Sequence, residues 1–150
     1  MNNKSSLALA TFGNSYNCSQ SVFCVFAPDF GINKDLGLRL AGPFGGGIAR
    51  RQETCGAVTG ALMALGLKYG KGENGTDEDK QRTLSISKKF IEEFEAEFGS
   101  IVCLKLLDNY RMDTESGDDA IAKENMYKKR CPEYVKFAVE KTEELLKQYQ

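Results

Sequence analysis

Apolar and polar positions follow helical rather than strand-like rhythms along most of this chain. After Thr76, in an otherwise charged stretch, Ile86, Phe90, Phe94 and Phe98 recur every four residues. That spacing predicts one long amphipathic helix, capped by Thr76 and stopped by Gly99, with an aromatic stripe on the core. From about Thr54 to Tyr69 the pattern changes to apolar on most faces. Gly56, Gly60 and Ala64 stand at four-residue spacing with Ala57 and Ala61 beside them, so a neighbouring backbone can come close to this central, buried helix. Asn17 caps a helix expected to run through Ser21 and Phe26 towards Pro28, and Asn33 caps another through Leu36 and Leu40 to Gly42. Between them and the central helix lies a breaker cluster, Gly42-Pro43-Phe44-Gly45-Gly46-Gly47, which predicts a loop of unusual backbone freedom. Lys71 to Gly75 is a polar linker ending in an Asn-Gly turn.

Further on, Ser100 is expected to cap a short helix from Ile101 to Leu107; Asp108 to Arg130 turns polar and rich in turn formers, and within it the acidic stretch Asp113 to Asp119 reads as a solvated loop whose length suits a flap over the cysteine region. Pro132 opens a last helix carrying Val135, Ala138, Thr142, Leu145 and Tyr149. Few β-branched alternating runs occur, and there is no repeat or low-complexity tract. The expectation is an all-α fold: a single compact multi-helix domain over residues 1–150 around a buried central helix.

Composition narrows the chemistry. The 150 residues include no histidine, which removes Ser-His and Cys-His nucleophile pairs and His-ligated zinc or haem. A net charge of −1 offers no general attraction for nucleic acid or anionic lipid. Residues 1–20 hold only a four-residue apolar run, Leu7 to Ala10, short of a secretory h-region, and no stretch is long enough to insert in a membrane. A cytoplasmic location is the resulting expectation. In a reducing compartment, five cysteines at long spacing point to metal ligands, redox groups or core residues rather than a static disulfide framework.

Four of those cysteines share a context. Cys18 follows a cap, Cys55 begins the central helix, Cys103 stands three residues after Ser100, and Cys131 precedes a helix-opening proline. Each falls in the cap or first turn of a helix, where free N–H groups and the positive end of the dipole are expected to lower a thiol's pKa. Cys24, among Phe23, Val25 and Phe26, reads as a core residue in mid-helix. A second feature comes from a different class: Gly46 and Gly47 followed by Arg50 and Arg51 present N–H groups and positive charge to an anion, the mark of a ligand- or partner-binding module with structural cysteines. Two clusters carry no assignment. Asp113 to Asp119 has its glycine one place too early for an EF-hand, and Lys128-Lys129-Arg130 reads as a solvated basic patch.

Six segments then occur in order: Asn17 to Val22, Gly45 to Arg50, Glu53 to Ala61, Gly66 to Gly70, Phe98 to Cys103, and Arg130-Cys131-Pro132. Together they resemble the C_GCAxxG_C_C family, whose members are described as redox-active, and Cys55 to Gly60 matches the family's Cys-Gly-Ala-x-x-Gly hallmark. The resemblance covers nearly the whole chain. It implies a small protein of bacterial or archaeal type, often encoded beside transporters, with Cys18, Cys55, Cys103 and Cys131 as its cysteine set and Cys24 outside it. A related region in split-Soret cytochromes is associated with an iron–sulfur centre; the C-x-x-C-H haem attachment sequence is missing here.

If the four thiols converge, their charges must be removed by protonation, by disulfide formation or by a cation. Two chemistries follow. The four cysteines act as redox thiols in disulfide exchange, or they serve as metal ligands of zinc or an iron–sulfur cluster. Either calls for an unidentified redox partner, and the small-residue helix suits a homodimer as well as an internal neighbour.

Overall fold

The computed structural model describes residues 3–150. In chain order the helices are α1 (Asn3–Gly13), α2 (Cys18–Phe23), α3 (Lys34–Ala41), α4 (Gly56–Tyr69), α5 (Asp77–Phe98), α6 (Cys103–Leu106), α7 (Glu115–Lys123), α8 (Met126–Lys129) and α9 (Cys131–Gln148), with short 3₁₀ turns at Ala27–Phe30 and Gly42–Phe44. The fold is all-α. Among the described residues the one β-type pairing is an isolated antiparallel bridge between Thr54 and Val102, and no helix is long and apolar enough to cross a membrane.

Helix α4 is the centre, with α2, α5 and α9 packed around it and α1 lying against α9. Val58, Ala61, Ala64 and Leu65 of α4 are fully buried. Its small residues work by omission. A Cβ on Gly60 would stand 2.8 Å from the Ser19 carbonyl oxygen and 3.1 Å from Val22 Cβ, and one on Gly56 2.9 Å from the Ser19 nitrogen. Only bare backbone lets α2 lie this close. On the other side, α5 presents Ile86, Phe90 and Phe94 to the core, and Phe94 and Phe98 meet Tyr134 and Phe137 of α9 with ring centroids 4.8–6.2 Å apart. Edge-on aromatic contacts of this kind add about 0.5–1.5 kcal/mol each beyond burial.

The caps fall where the sequence places them. The Asn17 side chain accepts from Gln20 N while Gln20 returns a bond to Asn17 N, and Thr76 and Asp79 form the same reciprocal box on α5. Asn33 accepts from Leu36 N at the start of α3.

Three expectations are corrected. Helix α2 ends at Phe23 and gives way to a 3₁₀ turn holding Pro28, which has no N–H to return the helical bond to the Cys24 carbonyl. Ser100 does not cap α6: its hydroxyl accepts from Val102 N, and Ile101 and Val102 stay extended beside residues 53–55. Asp113 to Asp119 is not a solvated loop, since α7 begins at Glu115, and the polar segment from Asp108 to Arg130 holds both α7 and α8. Its polar composition hides Met112, Ile121 and Met126, all buried with Leu107 in a second apolar cluster. Helix α1 was not anticipated; Ser5 and Ala8 seat it on the core through a narrow face of small residues.

Two glycines of α4 give opposite expectations. Gly60→Ala forces α2 outward and should lower stability by about 1–3 kcal/mol. Gly66→Ala meets nothing within 4 Å, and should raise stability by about 0.5–1 kcal/mol through helix propensity. Urea unfolding of the two variants checks the sign of each.

Candidate functional site

The helix starts that carry the four cysteines converge because short backbone pairings hold them. Cys103 N donates to Glu53 O at 2.6 Å, Cys55 N to Ile101 O at 2.7 Å and Leu104 N to Gln52 O at 3.1 Å. This narrow ribbon puts the start of α4 beside the start of α6. A different tie brings in α9. Arg130 grips Asp108 with two bonds of 2.8 and 2.7 Å, and the Tyr134 hydroxyl donates to Leu106 O at 2.8 Å, so the end of α6 fixes the start of α9. Arg130, expected in a solvated basic patch, is thus a tether. Cys18 arrives with α2 through the glycine contacts of α4, where a Cβ on Gly56 would stand 3.1 Å from Cys18 Cβ.

Each of the four sits at a helix start, as its sequence context predicts. Cys18, Cys103 and Cys131 open α2, α6 and α9, and Cys55 is the N-cap of α4. All four line one cavity of about 140 Å³, whose walls include Phe12, Leu107, Met112 and Tyr127. Cys24 lies apart from it. It ends α2 as the C-cap rather than sitting in mid-helix, and it is buried among core residues. All five cysteines are free thiols.

Gly46, Gly47 and Arg50 border the same cavity. Gly46, Gly47, Ile48, Ala49 and Arg50 have φ of 65°, 69°, 68°, 52° and 62°, a continuous left-handed turn. Each non-glycine residue in that region costs about 1–2 kcal/mol. The turn is held by Gln52 N donating to Gly46 O at 3.0 Å and Glu53 N to Gly47 O at 2.8 Å. At Gly47 the absent side chain is required, since a Cβ there would stand 2.7 Å from Cys103 Cβ. Arg51 points away from the cavity, near Glu53 at 3.9 Å.

Sequence reasoning passed over Gln52 and Tyr127. Gln52 is 2% exposed. Its amide donates to Tyr110 O at 2.9 Å and accepts from Met112 N at 2.7 Å, clamping the segment before α7 across the cavity. A lone polar residue beside a glycine run gives no periodic signal, so nothing in the sequence marked it. The Tyr127 hydroxyl is enclosed with no hydrogen-bond partner.

Burial overrides the helix dipole at most of these thiols, correcting the expectation that all four would be acidified. Burial raises Cys55 to about 12 despite the opposing amides of Ala57 and Val58, and it raises Cys103 to about 12 with the Cys55 and Cys131 sulfurs adding to it. Cys18 is held well above its ordinary value, first by its hydrogen bond with Cys131, then by burial and the other three sulfurs. Cys131 moves the other way. The hydrogen bond with Cys18 outweighs burial there, and the Arg130 charge assists. The contact between them therefore favours ionisation at Cys131 over ionisation at Cys18.

Among the described residues, no three Cys, Asp or Glu side chains stand together in a group that would hold a metal ion. A family model described as "Putative redox-active protein (C_GCAxxG_C_C)" matches residues 16–145. No curated protein and no solved structure matches the chain.

Two outcomes follow from the thiol chemistry. Removing the donor in Cys18→Ala should shift the pH midpoint of Cys131 alkylation by iodoacetamide upward, read by peptide mass spectrometry across pH 6–10. For stability, Cys55 and Cys103 keep their protons to about 12 in the folded chain, whereas an unfolded thiol releases its proton near 8.5. Their contribution is complete below that lower value and is lost as pH rises towards the higher one. The urea midpoint should fall between pH 8 and pH 11, and fall less in the Cys55→Ala variant.

Proposed function

The chain belongs to the C_GCAxxG_C_C family, and on that premise we propose that its four clustered thiols carry out reversible thiol–disulfide exchange. The observation that carries this reading is the convergence of four free thiols, Cys18, Cys55, Cys103 and Cys131, on one cavity, and the contact with Cys18 that lowers the Cys131 thiol supports it. A nucleophilic thiolate with a second thiol in hydrogen-bond contact is the minimum equipment for two-electron exchange. In the proposed step the Cys131 thiolate attacks a sulfur of an oxidised sulfur compound and expels that compound's leaving thiolate. Cys18 then gives up its proton to solvent and attacks Cys131 Sγ, breaking the mixed disulfide and expelling the remaining half of the compound as a second thiolate, so that two thiols become one disulfide and the oxidant takes up two electrons. A separate reductant restores the thiols. Cys55 and Cys103, held protonated by burial, form a second and slower pair.

Zinc or iron–sulfur ligation by Cys18, Cys55, Cys103 and Cys131 is the competing reading, and no step here is routed through a metal. The second class of function, a module that binds an anion at Gly46, Gly47 and Arg50 with inert cysteines, differs in predicting no change of thiol count.

The experiment is a redox titration of anaerobically prepared protein in a dithiothreitol buffer, with thiols counted and cross-links mapped by peptide mass spectrometry. The five free thiols should drop by two as a Cys18–Cys131 disulfide forms, then recover on reduction, with Cys24→Ala behaving as the parent chain. Stoichiometric iron or zinc in the same preparation, or a thiol count that never changes, would overturn the proposal.

A further inference from the structure

The sulfurs are recessed. Cys55, Cys103 and Cys131 are only 4%, 9% and 8% exposed. A cavity of about 140 Å³ is close to the roughly 150 Å³ that accommodates a benzene-sized molecule. A protein disulfide, with backbone on both sides of each sulfur, does not enter such a space; a small sulfur compound does.

The polar equipment of the cavity states which kind. Arg50 borders it and is exposed. Among the described residues Arg50 forms no ion pair, and neighbouring Asp113 is already taken by Arg111 through two bonds of 3.0 and 2.7 Å. Among the described residues its one side-chain hydrogen bond, to Met112 O, is a long 3.5 Å. The unpaired cation is carried there by the strained left-handed turn, with Arg50 itself at φ 62°. Tyr127 supplies the independent observation. Its hydroxyl is enclosed without a partner, and the charged or titratable groups around it are Arg50, Asp118, Cys131 and Cys103. A buried donor without an acceptor is costly unless a ligand supplies one.

Resting on the thiol-exchange reading above, we propose that the cavity's oxidants are small anionic sulfur electrophiles of the polythionate or thiosulfonate class, with Arg50 and Tyr127 binding the sulfonate end. Arg50 neutralises the charge at the mouth, the Tyr127 hydroxyl donates to a sulfonate oxygen, and the electrophilic sulfur reaches the thiols inside. With tetrathionate the reaction balances as follows. The Cys131 thiolate attacks an inner sulfur and displaces one thiosulfate, leaving a Cys131–S–sulfonate adduct. Cys18 attacks Cys131 Sγ and displaces a second thiosulfate. Two thiols and one tetrathionate give one disulfide, two thiosulfates and two protons.

The test measures thiol loss in the reduced, full-length protein with dianionic tetrathionate, neutral 2-hydroxyethyl disulfide and cationic cystamine, each rate divided by that of the same probe with a free model thiol. The normalised anionic-to-neutral ratio should be well above one and should fall as salt is raised. Arg50→Gln should lower the ratio by about tenfold, Arg50→Lys should keep most of it, and Tyr127→Phe should lower it by less than Arg50→Gln. A parent ratio near one, without salt dependence, overturns the substrate class even if no variant folds, and so does a ratio unmoved by Arg50→Gln. In both cases oxidation by all three probes leaves thiol exchange standing. If none of the three oxidises any of the four cysteines, thiol exchange itself fails.

Discussion

The site depends on backbone approaching backbone where side chains are missing. Gly56 and Gly60 let α2 settle on α4, and Gly47 lets the left-handed turn settle on Cys103. Replace these contacts with ordinary packing at the 8–10 Å separation of helix axes, and Cys18 would draw away from Cys55. Shape is thus set by absent methyl groups, and the thiols meet as a consequence. The remaining ties, the ribbon at residues 53–55 and 101–104 and the Arg130–Asp108 bridge, bring α6 and α9 to the same place.

Gathering helix starts around one cavity has an electrostatic consequence that position alone does not convey. Dipoles favour anions, but each falls off within the first turn and is opposed by desolvation. With several sulfurs sharing the enclosure, a second negative charge is opposed by the first, and the contact with Cys18 makes Cys131 the thiol whose ionisation is favoured. This asymmetry gives chemically equivalent residues unequal roles. It also leaves Cys18, Cys55 and Cys103 held towards their protonated forms.

The left-handed turn from Gly46 to Arg50 shows how a local cost is sustained. Ile48, a β-branched residue, sits at φ 68°, where such residues are rare. Backbone bonds to Gly46 and Gly47 oxygens and the buried Gln52 clamp over-determine the conformation. The strain is spent where a cation meets a cavity of thiols, the setting in which stored strain and function usually coincide.

Much of the fold was legible from local signals. The four-residue stripe of Ile86, Phe90, Phe94 and Phe98, the caps at Asn17, Asn33 and Thr76, and the small-residue face of α4 each follow from short-range stereochemistry, so the all-α class and the central helix could be read directly. The place of each cysteine at a helix start was equally local. What only the tertiary structure decided was everything that depends on burial and on partners distant in sequence: α7 and α8 within a polar segment anchored by Met112, Ile121 and Met126, the Gln52 clamp, the role of Arg130, and the reversal of the expected thiol acidity. Helix periodicity and capping are encoded within a few neighbouring residues, whereas desolvation and thiol–thiol contact arise only once remote segments enclose the same space.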